Sequence, residues 1–246
     1  MKKVFLLAII SFFAATAFAQ NKKVKNAAPA KQELETVVFH QAMKYGDVGV
    51  AINSLYALIA KHPEVVSYKD SLALIYFKVA SYNQCLRVCD DLLALRPNDT
   101  TILRMMAKCH QSLGYSVEAI ADFEKVVKLT GNVYDIYQKA ALEYRMKRLQ
   151  ESKISVEAVI KSVTENDIIV LYIDQENKQE VPLRAAALNL YGMIAKDFND
   201  TASARFLFNE AIKLYPEFYF ANANLKLLNE TAVKKPEDPS PADKKK

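Results

Sequence analysis

"FNDTASARFLFNEAIKLYP", residues 198–216, puts small residues where a helix usually carries bulky ones, and it closes on a proline. With Gly192 upstream, the marked positions are Gly192, Ala204, Phe208, Ala211 and Pro216, in steps of twelve, four, three and five. The same steps run through Ala107, Ala119, Phe123, Val126 and Gly131. They recur as Ala73, Cys85, Cys89, Leu92, Pro97 and as Phe39, Ala51, Leu55, Leu58, Pro63. Positions 39, 73, 107 and 141 are each 34 apart, so Ala141 is read as the next member of the series.

The spacing has a direct physical meaning. Each unit holds two helical runs separated by a short turn, such as "KYGD", "LGYS" or "DFND". Small residues at the first two positions let paired helices approach closely. The larger residue four further on lies on the same face one turn along. A proline after the second helix cannot continue it and marks the handover to the next pair. One pair cannot bury its apolar stripe alone, whereas stacked pairs form a continuous core.

On these residues the chain resembles the tetratricopeptide repeat family over residues 32–230. The resemblance implies an all-α, right-handed solenoid of about five helix-turn-helix units, near 32–65, 66–99, 100–133, 134–163 and 185–218. Residues 219–230 suit a capping helix. The family's first-helix aromatic is matched by Tyr76 and Tyr144, with His110 and Ala195 as departures. Members are mostly protein-binding scaffolds, so the resemblance implies a protein or peptide partner and no catalysis.

The fourth unit breaks the pattern. Twelve residues after Ala141 stands Lys153, wrong for a tight crossing, so its turn is read as one residue shorter, with Ser152, Val156 and Val159 in the small and wedge places. The phase then slips before Gly192. The extra residues fall in 166–183, "NDIIVLYIDQENKQEVPL". The β-branched and aromatic run 168–173, the turn-like "DQENKQ" and "EVPL" predict a β-hairpin, with an extra irregular loop as the alternative. A repeat stack tolerates inserts on one edge, so the hairpin is expected to be dispensable to the helices.

Outside the repeats, Lys2 and Lys3 precede an apolar run ending in Ala17-Phe18-Ala19. Residues 1–19 read as a cleavable signal peptide, with a retained anchor as the alternative, and 20–31 as a linker. The run is short for a membrane span, which needs ~20 residues. The mature chain is expected in the periplasm or beyond, without a transmembrane segment. Residues 231–246 hold three prolines and a lysine run and read as a disordered tail. The formal charge of +5 is thus shared with leader and tail, which argues against nucleic acid as a partner. An odd count of three cysteines without CxxC argues against a disulfide scaffold, and Cys89 with Cys109 is the pairing worth testing.

No catalytic signature emerges. The five glycines form no phosphate loop. No metal ligand set, cofactor motif or catalytic residue is expected. His110 reads as a satisfied core histidine. Function must then rest on surfaces. The resemblance places the first helices along the concave face, where Lys78, Arg104, Lys108 and Arg145 would interleave with Leu74, Phe77 and Leu142. Asn189 and Met193 would extend that row. Apolar pockets flanked by cations suit an acidic peptide. The family's carboxylate clamp uses paired Asn and Lys. Here Asp70 with Leu74, and Arg104 with Lys108, stand in those places, so that function is not carried over. The alternatives are a structural subunit docking by its convex face or end cap, and an enzyme.

Overall fold

The computed structural model describes residues 33–233. The expected signal peptide, the linker and most of the tail lie outside them. Two compact units divide the chain, one ending at Leu58 and the other beginning at Ile59. The first contains α1 (Leu34–Tyr45) and most of α2 (Val48–Lys61). The second contains α3 (Val66–Lys78), α4 (Tyr82–Leu95), α5 (Thr100–Leu113), α6 (Ser116–Thr130), α7 (Val133–Arg145) and α8 (Leu149–Ser162). It continues with β1 (Ile168–Tyr172), β2 (Lys178–Pro182), α9 (Leu183–Asp197), α10 (Thr201–Leu214) and α11 (Tyr219–Val233). Within this unit successive helices pack as neighbours from α3 to α8 and from α8 through α9 to α11, giving the helical solenoid expected. The last helix runs on to Val233, past the expected boundary at 230.

The repeat positions are where the chain loses solvent most completely. Ala51, Cys85, Ala119, Ser152 and Ala204 are all fully buried. So are the wedge residues Cys89, Val156 and Phe208, with Leu55 and Phe123 nearly so. In α4 the Cys85 thiol reaches the Ala73 carbonyl of α3 at 3.4 Å. In α8 the Ser152 hydroxyl donates to the Ala140 carbonyl of α7 at 2.8 Å. Both bonds span twelve residues, and only a backbone-to-backbone approach without bulk between the helices permits them.

That second bond corrects the phase of the fourth unit. Ala140, not Ala141, is the fully buried small residue, and the step of twelve to Ser152 is intact. The turn residues agree. A left-handed backbone stands seven residues after the first marked position of each unit, at Gly46, Ala80, Gly114, Lys147 and Asn199. Lys147 counts from Ala140. The missing residue is therefore in the handover before α7. There Gly131 closes α6 in the left-handed region and Asn132 at once caps α7, accepting from Tyr134 N and Asp135 N. The preceding handover uses Arg96 to Asp99, with Asp99 capping α5. The prolines Pro63, Pro97 and Pro216 stand two residues beyond α2, α4 and α10, where the missing N–H costs nothing.

The hairpin between α8 and α9 forms as expected, an antiparallel pair with Val170 opposite Glu180. Asp174 holds its turn, accepting from Glu176 N and Asn177 N at 2.8 Å. The hairpin is not confined to an edge of the stack. Ile169 and Val181 are buried in the same core as Tyr137, Val156, Val159, Leu183 and Leu190. The hairpin is a wall of that core, because Ile169, Leu171 and Val181 on its inward row are apolar and β2 leads directly into α9.

The three cysteines are free and buried. Cys85 lies 3.9 Å from Cys89, sulfur to sulfur, one turn along the same helix. The neighbouring sulfur of Cys85, and then burial, push the thiols of Cys89 and Cys109 up, so they stay protonated and pack as small apolar groups.

Two outcomes are expected. A Cβ on Gly192 would lie 2.5 Å from the Phe208 ring. Gly192→Ala should therefore cost about 1–3 kcal/mol by overpacking, and Phe208→Leu in the same chain should recover part of it. Equal urea midpoints for wild type and Gly192→Ala would contradict this packing. Replacing residues 167–181 by a short Gly/Ser link should accelerate amide exchange in α7, α8 and α9. Unchanged protection there would return the hairpin to the role of a dispensable edge insert.

Candidate functional site

With the corrected phase, equivalent first-helix positions can be compared across α3, α5, α7 and α9. The position after the small residue carries Leu74, Lys108, Ala141 and Met193. Three residues further stand Phe77, Gln111, Tyr144 and Lys196, then Lys78, Ser112, Arg145 and Asp197. Leu74, Lys78, Lys108 and Arg145 are exposed, and Phe77 and Tyr144 are half-buried. Leu142 is corrected. It is 1% exposed and packs with Ala107, Ala119, Ile120 and Phe123. Counted from Ala140 it occupies the place of Ile75 and Cys109, which are also buried. It cannot anchor a partner, and Tyr144 takes its place as the apolar body on the α7 face.

Arg104 is also reassigned. Its Nε donates to Asp135 at 2.9 Å and its Nη2 lies 2.8 Å from the same carboxylate. Asp135 is almost fully buried, and its hydrogen bond holds the Arg104 guanidinium above its ordinary pKa. The pair stitches α5 to α7. Asp70 is taken by Arg96, which also pairs with Asp99 at 3.3 Å. Asn189 is buried and accepts from Asn224 at 2.9 Å, tying α9 to α11. Lys78, Lys108 and Arg145 differ, for none of them pairs with a described residue.

Three buried carboxylates could have served acid–base chemistry, and each is occupied by a partner. Asp135 has Arg104. Asp122 lies 2.8 Å from His110 Nδ1 and 3.7 Å from Lys125. Glu143 is 1% exposed and accepts from Lys139 at 2.6 Å and from Ser155 at 2.8 Å. His110–Asp122 and Glu143–Ser155 occupy equivalent places in their units, three and fifteen residues after the small position. The equivalent first-helix place holds Tyr76 in α3 and Ala195 in α9, both buried. Tyr144, expected at that core place, is displaced one residue outward by the phase correction. Lys139 and Glu143 stand at i,i+4, a spacing that singles out no pair among the many charges of these helices, and Ser155 meets them only through helix packing.

A further cluster joins α7 to α9. Lys147 donates to Asp197 at 2.8 Å, and its ammonium stands 5.4 Å from the Tyr144 ring centre. Burial and Asp197 push the Tyr144 phenol up to about 12. Burial opposes the Asp197 charge, but Lys147 and Tyr144 outweigh it and hold that carboxyl below its ordinary range.

Neither of two cavities is lined by these residues of the face. One of about 460 Å³ is bounded by Lys153, Tyr191, Phe198, Phe206 and Leu207, among α8, α9 and α10. The other, about 510 Å³, lies between Ile173 and Gln179 of the hairpin and Tyr219 and Lys226 of α11. Among the described residues no group of His, Cys, Asp and Glu is arranged to hold a metal. No described helix is long and apolar enough to cross a membrane.

Comparison with known proteins agrees with this architecture. The family model for the tetratricopeptide repeat matches residues 185–218. The Hsp70-Hsp90 organizing protein 2 of Arabidopsis thaliana is 25% identical over 142 residues, which is 54% of this chain. The chain spans only about a fifth of that relative, 21% of its length. A tetratricopeptide repeat protein from Parabacteroides merdae has a similar structure, with TM-score 0.62, 15% identity, 81% of this chain covered and 73% of that one. YrrB, a TPR protein with an unusual peptide-binding site, is similar at TM-score 0.60 and 13% identity, over 76% of this chain and 88% of its own. The chain therefore has the fold of the tetratricopeptide repeat solenoids and carries a tetratricopeptide repeat at residues 185–218.

Proposed function

We propose that this protein is a non-catalytic scaffold whose first-helix face binds an extended, acidic segment of a partner protein. The observation that carries the reading is a division among the charges of that face. Arg104, Asp135, Asp70 and Asp197 are consumed in internal pairs. Lys78, Lys108 and Arg145 remain exposed and pair with no described residue. Beside them stand exposed Leu74 and half-buried Phe77 and Tyr144. Cations around apolar bodies attract an acidic chain and hold its apolar side chains. A peptide-binding site on the structurally similar YrrB supports the same class of function. The leader-like residues 1–19 support an exported scaffold acting in the periplasm or envelope.

The 460 Å³ cavity favours a second reading. Phe206, 61% exposed, is one of its walls, and Ile154 nearby on α8 is 68% exposed. A structural subunit could dock there by its second helices. Ionic strength separates the two, because a cationic face weakens in salt while an apolar contact barely responds.

Acidic peptides carrying one apolar anchor should bind the purified chain with an affinity that falls as salt rises. Lys78→Glu with Lys108→Glu should weaken them at least about tenfold, a change of 1.4 kcal/mol, with the melting temperature little changed. Unchanged anisotropy titrations by the folded double variant would sink the first-helix reading. Arg104→Ala should behave in the opposite way. Leaving Asp135 buried and unpaired should cost about 1–3 kcal/mol of stability, with peptide affinity retained. Adding Asp135→Ala should recover part of that loss, and full additivity of the two in denaturant titrations would mean the pair is not coupled.

A further inference from the structure

The hairpin has two edges, and they are built differently. Ile173 N donates to Asn177 O, and Leu183 N donates to Asp167 O. With Val170 opposite Glu180, odd-numbered residues of β1 exchange bonds with β2. Even-numbered residues then aim their N–H and C=O groups away from it. On β2 the outward row is Lys178, Glu180 and Pro182, the charged and proline residues that protect a natural edge. On β1 it is Ile168, Val170 and Tyr172, with no charge and no proline. Their side chains are 44%, 41% and 70% exposed. The Ile168 N–H is covered by the Tyr134 hydroxyl at 3.1 Å. Among the described residues nothing pairs with the outward backbone groups of Val170 and Tyr172.

This open pair is self-complementary. In an antiparallel match centred on Leu171, Val170 meets Tyr172 of a second copy, and Tyr172 meets its Val170. Four main-chain hydrogen bonds then satisfy all the open groups of both residues, while Ile168 keeps Tyr134. The side chains form two valine–tyrosine pairs on the exposed face, a favoured cross-strand combination. Each row across the four strands reads Lys178, Tyr172, Val170, Glu180, so no like charges are adjacent. The inward row brings Leu171 against Leu171. We propose that β1 is a self-association edge, through which two copies join into a continuous four-stranded antiparallel sheet. The inference stands apart from the first-helix face, on a different element of the chain.

The test is the mass of the full chain in solution over a concentration series, by light scattering and sedimentation. The wild type should shift from monomer to dimer as concentration rises. Val170→Lys places a charge on the edge, and Val170→Pro removes only an N–H that points away from β2. Both should remain monomeric at concentrations where the wild type is dimeric, with unchanged helical circular dichroism. Tyr172→Lys reads the same edge if either variant perturbs the hairpin. Val170→Thr, which keeps the β-branched shape, should still dimerise. Leu171→Cys should cross-link two copies on mild oxidation, because this register sets the two Cα atoms about 4.5 Å apart. A wild type that stays monomeric at its highest soluble concentration overturns the proposal. So does a dimer that Val170→Lys and Tyr172→Lys leave intact. A monomer that instead takes up an unrelated extended peptide on β1 would also overturn it, in favour of a foreign strand.

Discussion

Close approach of the two helices within a pair is the constraint on which this architecture rests. At Ala73 and Cys85, and again at Ala140 and Ser152, the backbones come so near that a side chain on one helix bonds a carbonyl on the other. No larger residue could stand there. At Gly192 the limit is tighter, since the Phe208 ring fills the space a Cβ would need. Because the crossing is fixed, the face that each first helix turns outward is fixed with it. A slip of one residue in the crossing moves the whole face by about 100° around the helix. That is why the difference between Ala140 and Ala141 decides whether Leu142 is a surface anchor or part of the core.

Charge has two separate uses in this chain. Some pairs replace packing, as where Glu143 with Lys139 and Ser155, and Asp122 with His110, stand in places suited to apolar contact. Buried ionic groups of this kind stabilise little over an apolar pair, but they penalise any alternative register that would separate them. Others, such as Arg104 with Asp135 and Lys147 with Asp197, join one helix pair to the next. What these bonds leave over gives the outer face its character. The cations that pair with no described residue are the ones an external ligand can reach without first breaking the fold.

The hairpin shows the same economy in a different geometry. Its inward residues Ile169 and Val181 close the core between α8 and α9. Gln179 fastens it to the last helices by donating to Glu217 O at 2.6 Å and accepting from Tyr219 N at 3.0 Å. An insertion that interrupts the repeat is thereby held by both neighbours. One edge carries protective residues, and the other presents apolar ones.

The sequence by itself determined the helical repeat, because the crossing positions admit only small side chains and their steps of twelve, four and three are visible without coordinates. It also determined the hairpin, where β-branched residues flank a turn-forming run. It did not determine the fourth unit's phase. A single deletion can sit in a turn or in a handover, and both satisfy a count of residues. Only the tertiary structure decided, through the Ser152 bond to Ala140 and the left-handed backbone at Lys147. Nor could spacing say which cations were free. Arg104 and Lys108 are alike in sequence and one turn apart, yet Asp135 comes from the neighbouring helix pair and reaches only one of them. Pairing across units depends on how helices stack, and helix stacking is not written in the local period.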